Sequence, residues 1–433
     1  MTGDELHRQI VELYPLMRSI TGDGTRQTLR HLAGIAPIET FEVASGTPVL
    51  DWTVPDEWVF RHARLTGPDG SVVADSDVST LHVVNYSVGV DETLDRADLD
   101  AHLFSLPDRP SAIPYRTSYY QPTWGFGLTD TVRQGLGDGP YRAVIDAEHR
   151  ADGGLSYGEL VIPGSGPEEI LVSTHICHPS LANDNLSGLV LAAALAAELT
   201  RRPLERTWRF VFVPGTIGAI TWLARQRADR PEVLERNRGV LVLTGLGDES
   251  PFHWKRTRLG TTWIDRVVEL VLAQSGHDHT LLDFSPYGYD ERQYGSLGFG
   301  LAAGRLGRAV HGTYPEYHTS LDDPGFVRPD RLAESLDLLG QVVDALDAER
   351  TYVNRQPYGE PQLGRRGLYG SLGALPSPGD AQMAMLWLLS LSDGDTPLSA
   401  IAQRSGLPMT QLAEVAELLR ANDLLGRTEP PPG

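Results

Sequence analysis

The sequence predicts an α/β protein: a mostly parallel sheet sandwiched by helices, with a small inserted β domain and a C-terminal winged helix. Three observations carry this. From about residue 153 to 346, short β-branched and aromatic runs alternate with longer helical ones, the pattern of strands joined by crossover helices. From about 45 to 152, short β-like runs are separated by turn signals such as Gly67-Pro-Asp-Gly70. After a stretch rich in glycine and proline at 355–378, three short helical segments contain the helix-turn-helix phrase Ser405-Gly-Leu-Pro408. The expected domains are residues 1–44 with 153–354 for the α/β part, 45–152 for the β-rich insertion and 366–428 for the winged helix.

The elements follow in order. Leu6, Ile10, Leu13, Leu16 and Met17 recur at helical spacing, Thr21-Gly-Asp-Gly24 interrupts, and 26–32 resumes the pattern. Residues 37–43 read as a strand. In the insertion, 58–60, 63–65, 72–74 and 81–87 read as short strands. The aromatic stretch 116–126, with Tyr119, Tyr120, Trp124 and Phe126 in a polar setting, either packs the insertion onto the core or lines a cleft. Strands are expected at 159–162, 170–172, 208–213, 239–243, 279–284 and 298–303. Helices are expected at 187–200, 217–225, 262–274 and 331–346, the last with Leu332, Leu336, Leu339, Val343 and Leu346 on one face. The three C-terminal helices are expected at 381–391, 398–405 and 410–419.

Composition limits the function. A chain of 433 residues, 41% hydrophobic and 22% charged, is an ordinary soluble globular protein with length for a large core. A formal charge of −20 repels nucleic acid and anionic membranes. The third C-terminal helix carries Glu414 and Glu417 against Arg420, so it suits packing or protein contact better than a phosphate backbone. One cysteine, Cys177, excludes an intrachain disulfide and fits a reducing compartment. The first residues lack the apolar core of a secretion signal, and no apolar run reaches the ~20 residues of a membrane helix. The expectation is a cytoplasmic protein without nucleic-acid or membrane partners; a homo-oligomer is compatible with the sequence.

The chemistry concentrates in residues 170–188, a buried strand running into His175-Ile-Cys177-His178-Pro-Ser-Leu-Ala-Asn183-Asp184-Asn185-Leu-Ser-Gly188 and then a long apolar helix. Sites in open parallel sheets lie at the carboxyl ends of strands. Imidazole and carboxylate together suit a borderline-soft divalent ion, and His175, His178 and Asp184 supply both. The competing reading is a polar loop whose histidines satisfy backbone groups. Asp248 falls just past the strand at 239–243. Glu291 and Glu316 lie in two further polar blocks, Tyr289-Asp-Glu-Arg-Gln293 and Tyr314-Pro-Glu-Tyr-His-Thr-Ser320. Asp322 or Asp323 could hold the second nitrogen of a ligand histidine. Cys177 reads as a buried structural thiol rather than a nucleophile. Lys255, the single lysine, with Arg292, Arg305, Arg308 and Tyr317, could bind a substrate; arginine matches a carboxylate bidentately.

The order of these blocks resembles the zinc-dependent aminopeptidases of phosphorylase/hydrolase-like fold. More closely, the chain from residue 5 to 425 resembles an aminopeptidase-like family with an inserted β module and a C-terminal winged helix, through the phrases at 81–87, 112–120, 175–188, 290–293 and 314–320. The resemblance implies a metal held by His175 or His178, Asp184, Asp248 and His318, with zinc as the metal and one ion rather than two. It implies a glutamate after the strand at 208–213, as general base. Here the phrase is Pro214-Gly215-Thr216-Ile-Gly218, where the closer family has Pro-Glu-Thr-Ile-Gly. Glycine can neither take a proton from water nor pass one to a leaving amine, and losing such a base typically costs about 10²–10⁴-fold. Either Glu291 or Glu316 takes the role, or peptide hydrolysis has been lost. A second departure, Gly127 where relatives carry cysteine, has no assigned consequence. The expected function is therefore that of a metal-dependent, aminopeptidase-like protein acting on a small peptide or amide. The alternatives are a non-hydrolytic descendant in a biosynthetic pathway, forming amides, transferring acyl groups or holding a ligand, and a transcription regulator.

Overall fold

The strand Glu169–His175 is buried along its whole length and lies fourth in an eight-stranded sheet. In the computed structural model, which describes residues 1–368 and 378–428, the sheet order is Glu39–Ala44, Gly154–Ile162, Thr207–Val213, Glu169–His175, Asn237–Leu243, Ala303–Gly307, Phe252–Lys255 and His279–Leu282. The four strands from Thr207–Val213 to Ala303–Gly307 are parallel. Antiparallel pairs flank them on each side. This is the predicted α/β architecture, and it gathers four strand ends on one edge.

The described residues fall into two compact units: Met1–Gly260 with Thr280–Asp337, and Thr261–His279 with Leu338–Gly433. In the first, the helix Gly188–Leu199 is apolar on nearly every face, which only a helix enclosed on all sides can be. It is covered by the sheet and by the amphipathic helix Gly3–Leu13, whose Leu6, Ile10 and Leu13 are buried. That helix begins in a capping box: the Thr2 side chain accepts from Glu5 N at 3.2 Å, and Glu5 accepts from Thr2 N at 2.7 Å. The expected β insertion contains a four-stranded antiparallel sheet, Val72–Asp75, Glu57–Thr66, Pro140–Arg150 and Val90–Asp95, over a core of Ala63, Leu65, Phe126, Leu128, Tyr141 and Ile145.

The second unit contains the helices Pro378–Leu391, Leu398–Ser405 and Met409–Ala421 with a three-stranded sheet, Asp393–Pro397, Thr351–Asn354 and Leu425–Arg427. The helix Leu398–Ser405 ends at Gly406, φ 72°, the left-handed stop that glycine adopts without steric cost. Its start is held by buried Glu349, which accepts from the backbone N–H of Ser399 at 2.9 Å. Residues 369–377, which belong to both the expected linker at 355–378 and the expected winged-helix span at 366–428, lie outside the described residues.

Three sequence expectations differ from the structure. Residues 81–87 form a short 3₁₀ turn at Thr80–His82 followed by single bridges from Val83 and Asn85, not a strand. The strand expected at 298–303 lies at Ala303–Gly307, because Gly300, φ 62°, turns the chain first. The strand Phe252–Lys255 was not expected, since His253 and Lys255 read as polar; both are buried. Trp254 packs so close over Gly304 that a Cβ there would fall 2.1 Å from the indole.

Buried Arg209 joins three neighbouring strands. Its guanidinium pairs with Glu159 and Glu169, and Trp222 Nε1 donates to Glu159 at 2.8 Å. Removing one partner of a buried ion cluster leaves uncompensated charge, at a cost of about 3–5 kcal/mol. Arg209→Ala is therefore expected to lower unfolding free energy in urea by that amount; a loss below ~1 kcal/mol would show that the cluster does not hold these strands.

Candidate metal centre and cavity

Asp184 sits, fully buried, in the turn Ala182–Ser187 between the strand Glu169–His175 and the helix Gly188–Leu199. Its Oδ1 lies 3.0 Å from His175 Nε2 and its Oδ2 3.0 Å from His318 Nε2. His178 Nδ1 lies 3.5 Å from Oδ2 and 3.1 Å from the Asp184 carbonyl oxygen. One ligand atom each from His175, His178 and Asp184 falls within 4.8 Å of the others. Side chains 134 residues apart in sequence thus meet on one carboxylate.

Each is positioned from the fold upward. His175 ends its strand, stacks on Tyr289 at 4.9 Å, and has Asn185 Nδ2 3.3 Å from its Nδ1. His318 has φ 54°, the left-handed region that non-glycine residues seldom adopt. It is held there by Tyr115 N donating to its carbonyl at 2.8 Å, by a bridge between Pro114 and Thr319, and by Tyr317 stacked on its ring at 3.9 Å. Tyr115 also sets its edge against His178 and His318. Tyr115, just before the aromatic stretch 116–126, thus reaches the histidines, whereas within the stretch Trp124 stacks on His102 at 3.7 Å and Phe126 joins the core of the insertion. Arg18, buried, donates from Nε to the His178 carbonyl at 2.8 Å and fixes the loop from beneath.

Burial lowers the pKa of His175 and of His318, against the pull of Asp184, so both rings favour the neutral form. Burial opposes charge on Asp184, but the imidazoles of His178, His175 and His318 overcome it and hold the carboxyl well below its ordinary range. An anionic carboxylate ringed by imidazoles is a donor set that fits zinc. The only other comparable group among the described residues, His62, Asp75 and Asp77, is partly exposed, and Arg64 already neutralises Asp75 at 2.6 Å.

The other residues singled out from sequence are placed differently. Asp248 is buried but does not join the cluster. Its carboxylate accepts from Asn183 Nδ2 at 2.8 Å, Ser250 N at 2.7 Å and Ala309 N at 3.2 Å, and so buttresses the residue next to Asp184. Asp322 serves the loop, not a histidine: it accepts from the backbone N–H groups of Asn183 at 2.6 Å and Asp184 at 2.9 Å. Burial, with the charges of Asp184 and Asp248 behind it, pushes its carboxyl up to about 8. Asp323 caps the turn at Gly325 and Phe326. Glu291 is paired with Lys255 at 2.9 Å, which removes both from the roles considered for them. Arg308 is spent on Glu334, Ser335 and the Ser250 carbonyl. Glu316 accepts through its backbone carbonyl from Thr319 and does not line the cavity described next, nor does Arg292.

Beside the cluster lies a cavity of about 140 Å³. His175, His178 and His318 form one part of its wall; Cys177, Gly215 and Thr216 another; Tyr287, Gly288, Tyr289, Asp290, His311 and Tyr317 the rest. Cys177 Sγ donates to the Gly215 carbonyl at 3.5 Å, as a buried thiol does. Arg305 stands behind this wall, with Nη1 2.9 Å from His311 Nδ1. Sequence reasoning missed Asp290 and His311. Asp290 was overshadowed by Glu291 beside it, although a residue next to a short helix at the site was the available signal; His311 had no signal.

The comparisons agree with this architecture. Residues 7–349 match the family described as a domain of unknown function, DUF4910, and residues 350–427 match a winged helix-turn-helix family. A Clostridium acetobutylicum protein, named for polysaccharide biosynthesis with an aminopeptidase-like domain, is 41% identical over 98% of this chain and 96% of its own. A crystal structure of a peptidase-like protein from the same species superposes with a TM-score of 0.91 at 40% identity, again covering 98% of this chain and 96% of that one. The zinc aminopeptidase BSAP of Bacillus subtilis shares the fold at a TM-score of 0.57 and 14% identity, over 79% of this chain and 94% of its own. No helix among the described residues is long and apolar enough to cross a membrane. With its first 349 residues on the fold of the zinc aminopeptidases and a winged helix behind them, the chain belongs to the DUF4910 aminopeptidase-like family.

Proposed function

We propose that this protein is a metal-dependent, aminopeptidase-like protein that takes a small peptide or amide, with His175, His178, Asp184 and His318 as the residues that would hold one zinc ion. The observation that carries the reading is the convergence of three imidazoles on one buried, anionic carboxylate beside a cavity. Asp248, expected among the ligands, is left out because its oxygens are occupied by Asn183, Ser250 and Ala309. Bound zinc supplies a Lewis acid that polarises a carbonyl and acidifies water. The protein's own residues supply the rest. Tyr289 and Tyr317 fix the rings of His175 and His318 by stacking, and the cavity, about the size of a benzene site, admits one small residue or amide.

What the wall lacks is a glutamate at position 215. Position 215 carries no side chain; a Cβ there would lie 3.1 Å from His175 Cβ, so a side chain at this point would start against the histidine. Glu291 and Glu316, the two replacements considered, are respectively tied to Lys255 and off the cavity wall. Hydrolysis is therefore expected to be weak, and a non-hydrolytic role is favoured by this specific vacancy: binding, or transfer of an acyl group to an amine, in a biosynthetic setting such as the name of the Clostridium relative indicates. The winged helix is assigned to protein contact, because Arg420 and Arg427 are paired with Glu417 and not presented to phosphates.

Two measurements test this. Protein equilibrated with zinc and then dialysed is expected to retain close to one equivalent, and Asp184→Asn or His318→Ala to weaken retention by at least ~10-fold; less than about half an equivalent in wild type would remove the metal reading. On a panel of aminoacyl chromogenic amides, Gly215→Glu is expected to raise turnover by ~10²-fold or more. Full activity in wild type with no gain in the variant would show that the glycine is not a missing base.

A further inference from the structure

A second cavity, of about 310 Å³, lies within the inserted β module and shares no residue with the one beside the histidines. His149 reaches it from the strand Pro140–Arg150, and Tyr86 and Tyr120 reach it from two loops. Both tyrosines are brought there against backbone preference. Tyr86 has φ 70° and Tyr120 φ 62°, the left-handed region that a residue with a Cβ seldom occupies. The Tyr86 hydroxyl donates to the Asp56 carbonyl, and Gln121 N closes the turn around Tyr120 by donating to the Ser118 carbonyl at 3.1 Å. The rings do not stand alone. Tyr86 meets the His149 ring edge-on at 4.5 Å, and Tyr120 meets Trp52 at 5.4 Å. Trp52 and Tyr120 remain 48% and 47% exposed, so this pair of rings is turned to solvent beside the cavity.

The polar groups on the wall are acceptors. Asp56 accepts from Thr21 and Tyr86 through its backbone carbonyl, while its carboxylate forms no hydrogen bond or salt bridge among the described residues. The His149 ring bonds to the Tyr86 backbone, yet its buried Nε2 has no partner. Burial lowers the pKa of His149, and it pushes Tyr86 up and Tyr120 up to about 12. Those three rings are therefore neutral at pH 7, and Asp56 is the charged side chain among the lining residues. A neutral imidazole bonded through its other nitrogen presents a lone pair at Nε2.

We propose that this cavity binds an organic cation, an ammonium or guanidinium on a short aliphatic stem, held against the Tyr86 and Tyr120 rings and donating to Asp56 and His149. Aromatic faces attract a cation through the ring quadrupole, and a carboxylate adds a charge-assisted hydrogen bond. An anion would meet the Asp56 carboxylate with no cation on the wall to offset it. Pro55, Pro122 and Val88 give the stem an apolar surface, and the volume exceeds that of the cavity beside the histidines more than twofold. The same cation could arrive on a free amine or on a basic side chain of a peptide. Nothing in this site depends on the metal cluster.

Binding of pentylammonium, 1-pentanol and Nα-acetyl-lysine N-methylamide to the full chain is measured by ligand-observed NMR, for wild type, Asp56→Asn and Tyr120→Gly. Asparagine keeps the shape of Asp56 without its charge; glycine removes the Tyr120 ring and tolerates the left-handed backbone. Wild type is expected to bind pentylammonium about tenfold more tightly than pentanol, and each substitution to cut that preference at least ~3-fold, with zinc retention and thermal unfolding unchanged. Tighter binding of the blocked lysine than of pentylammonium assigns the site to a peptide side chain; weaker binding assigns it to a free amine. Equal binding of amine and alcohol by wild type, no binding of either at high millimolar concentration, or a preference that survives either substitution undiminished overturns the proposal. Absence of zinc retention in wild type with the cation preference intact sinks the metal reading alone.

Discussion

The buried carboxylate of Asp184 is the constraint around which the first compact unit is arranged. A lone carboxylate in a dry interior is strongly disfavoured. It stays ionised here because His175 and His318 each approach one of its oxygens and His178 stands close by. His175 and His178 share the loop of Asp184, but His318 comes from a distant one, so the condition is met only if the sheet brings the two together. The support runs outward from there. Asp322 holds the backbone N–H groups on which Asp184 is carried, and Asp248 holds the side chain of Asn183. Three acids are thus buried within one loop environment. The outer two spend their oxygens on neutral N–H donors, without bringing in a further cation.

How much of this the sequence discloses depends on whether the signal is local. The strand–loop–helix at 169–199 is legible, because hydrophobic periodicity and a polar loop are properties of neighbours in the chain. So are the terminal helices, with a capping box at Thr2 and Glu5 and an αL glycine at 406. What fails is of two kinds. The strands Phe252–Lys255 and Ala303–Gly307 carry His253, Lys255 and Arg305, charged types that read as surface but are buried and paired inside. And the assignment of individual acids depends on which way a side chain turns. Glu291 and Asp290 are adjacent in sequence, yet one meets Lys255 and the other meets open cavity. Nothing in composition or spacing separates them. Asp248 shows the same limit: a strand-end position indicates the neighbourhood of the site, not the direction in which the carboxylate points.

Gly215 ties the two halves of the chemistry together. A general base there and an uncovered Asp290 compete for the same volume, since a side chain at 215 begins in contact with both His175 and Asp290. Glycine at this position leaves uncovered the Asp290 oxygens, which have no hydrogen-bond partner among the described residues, and both effects come from a single position rather than two.

The opposite polarity is fixed on the same wall by a residue that never touches the cavity. Arginine has no acceptor, so Arg305 Nη1 at 2.9 Å from His311 Nδ1 requires that nitrogen to be unprotonated. Burial, and then the charge of Arg305, lowers the pKa of His311 to about 4, so the ring is neutral at pH 7 and its proton must sit on Nε2. His311 is therefore a donor of fixed tautomer, while Asp290 is an acceptor with no donor of its own. Buried Arg305, 1% exposed, pairs with Glu291 at 3.9 Å, longer than its 2.9 Å contact with His311. A cavity whose wall offers a fixed N–H beside three imidazoles is matched by a ligand that presents an acceptor oxygen.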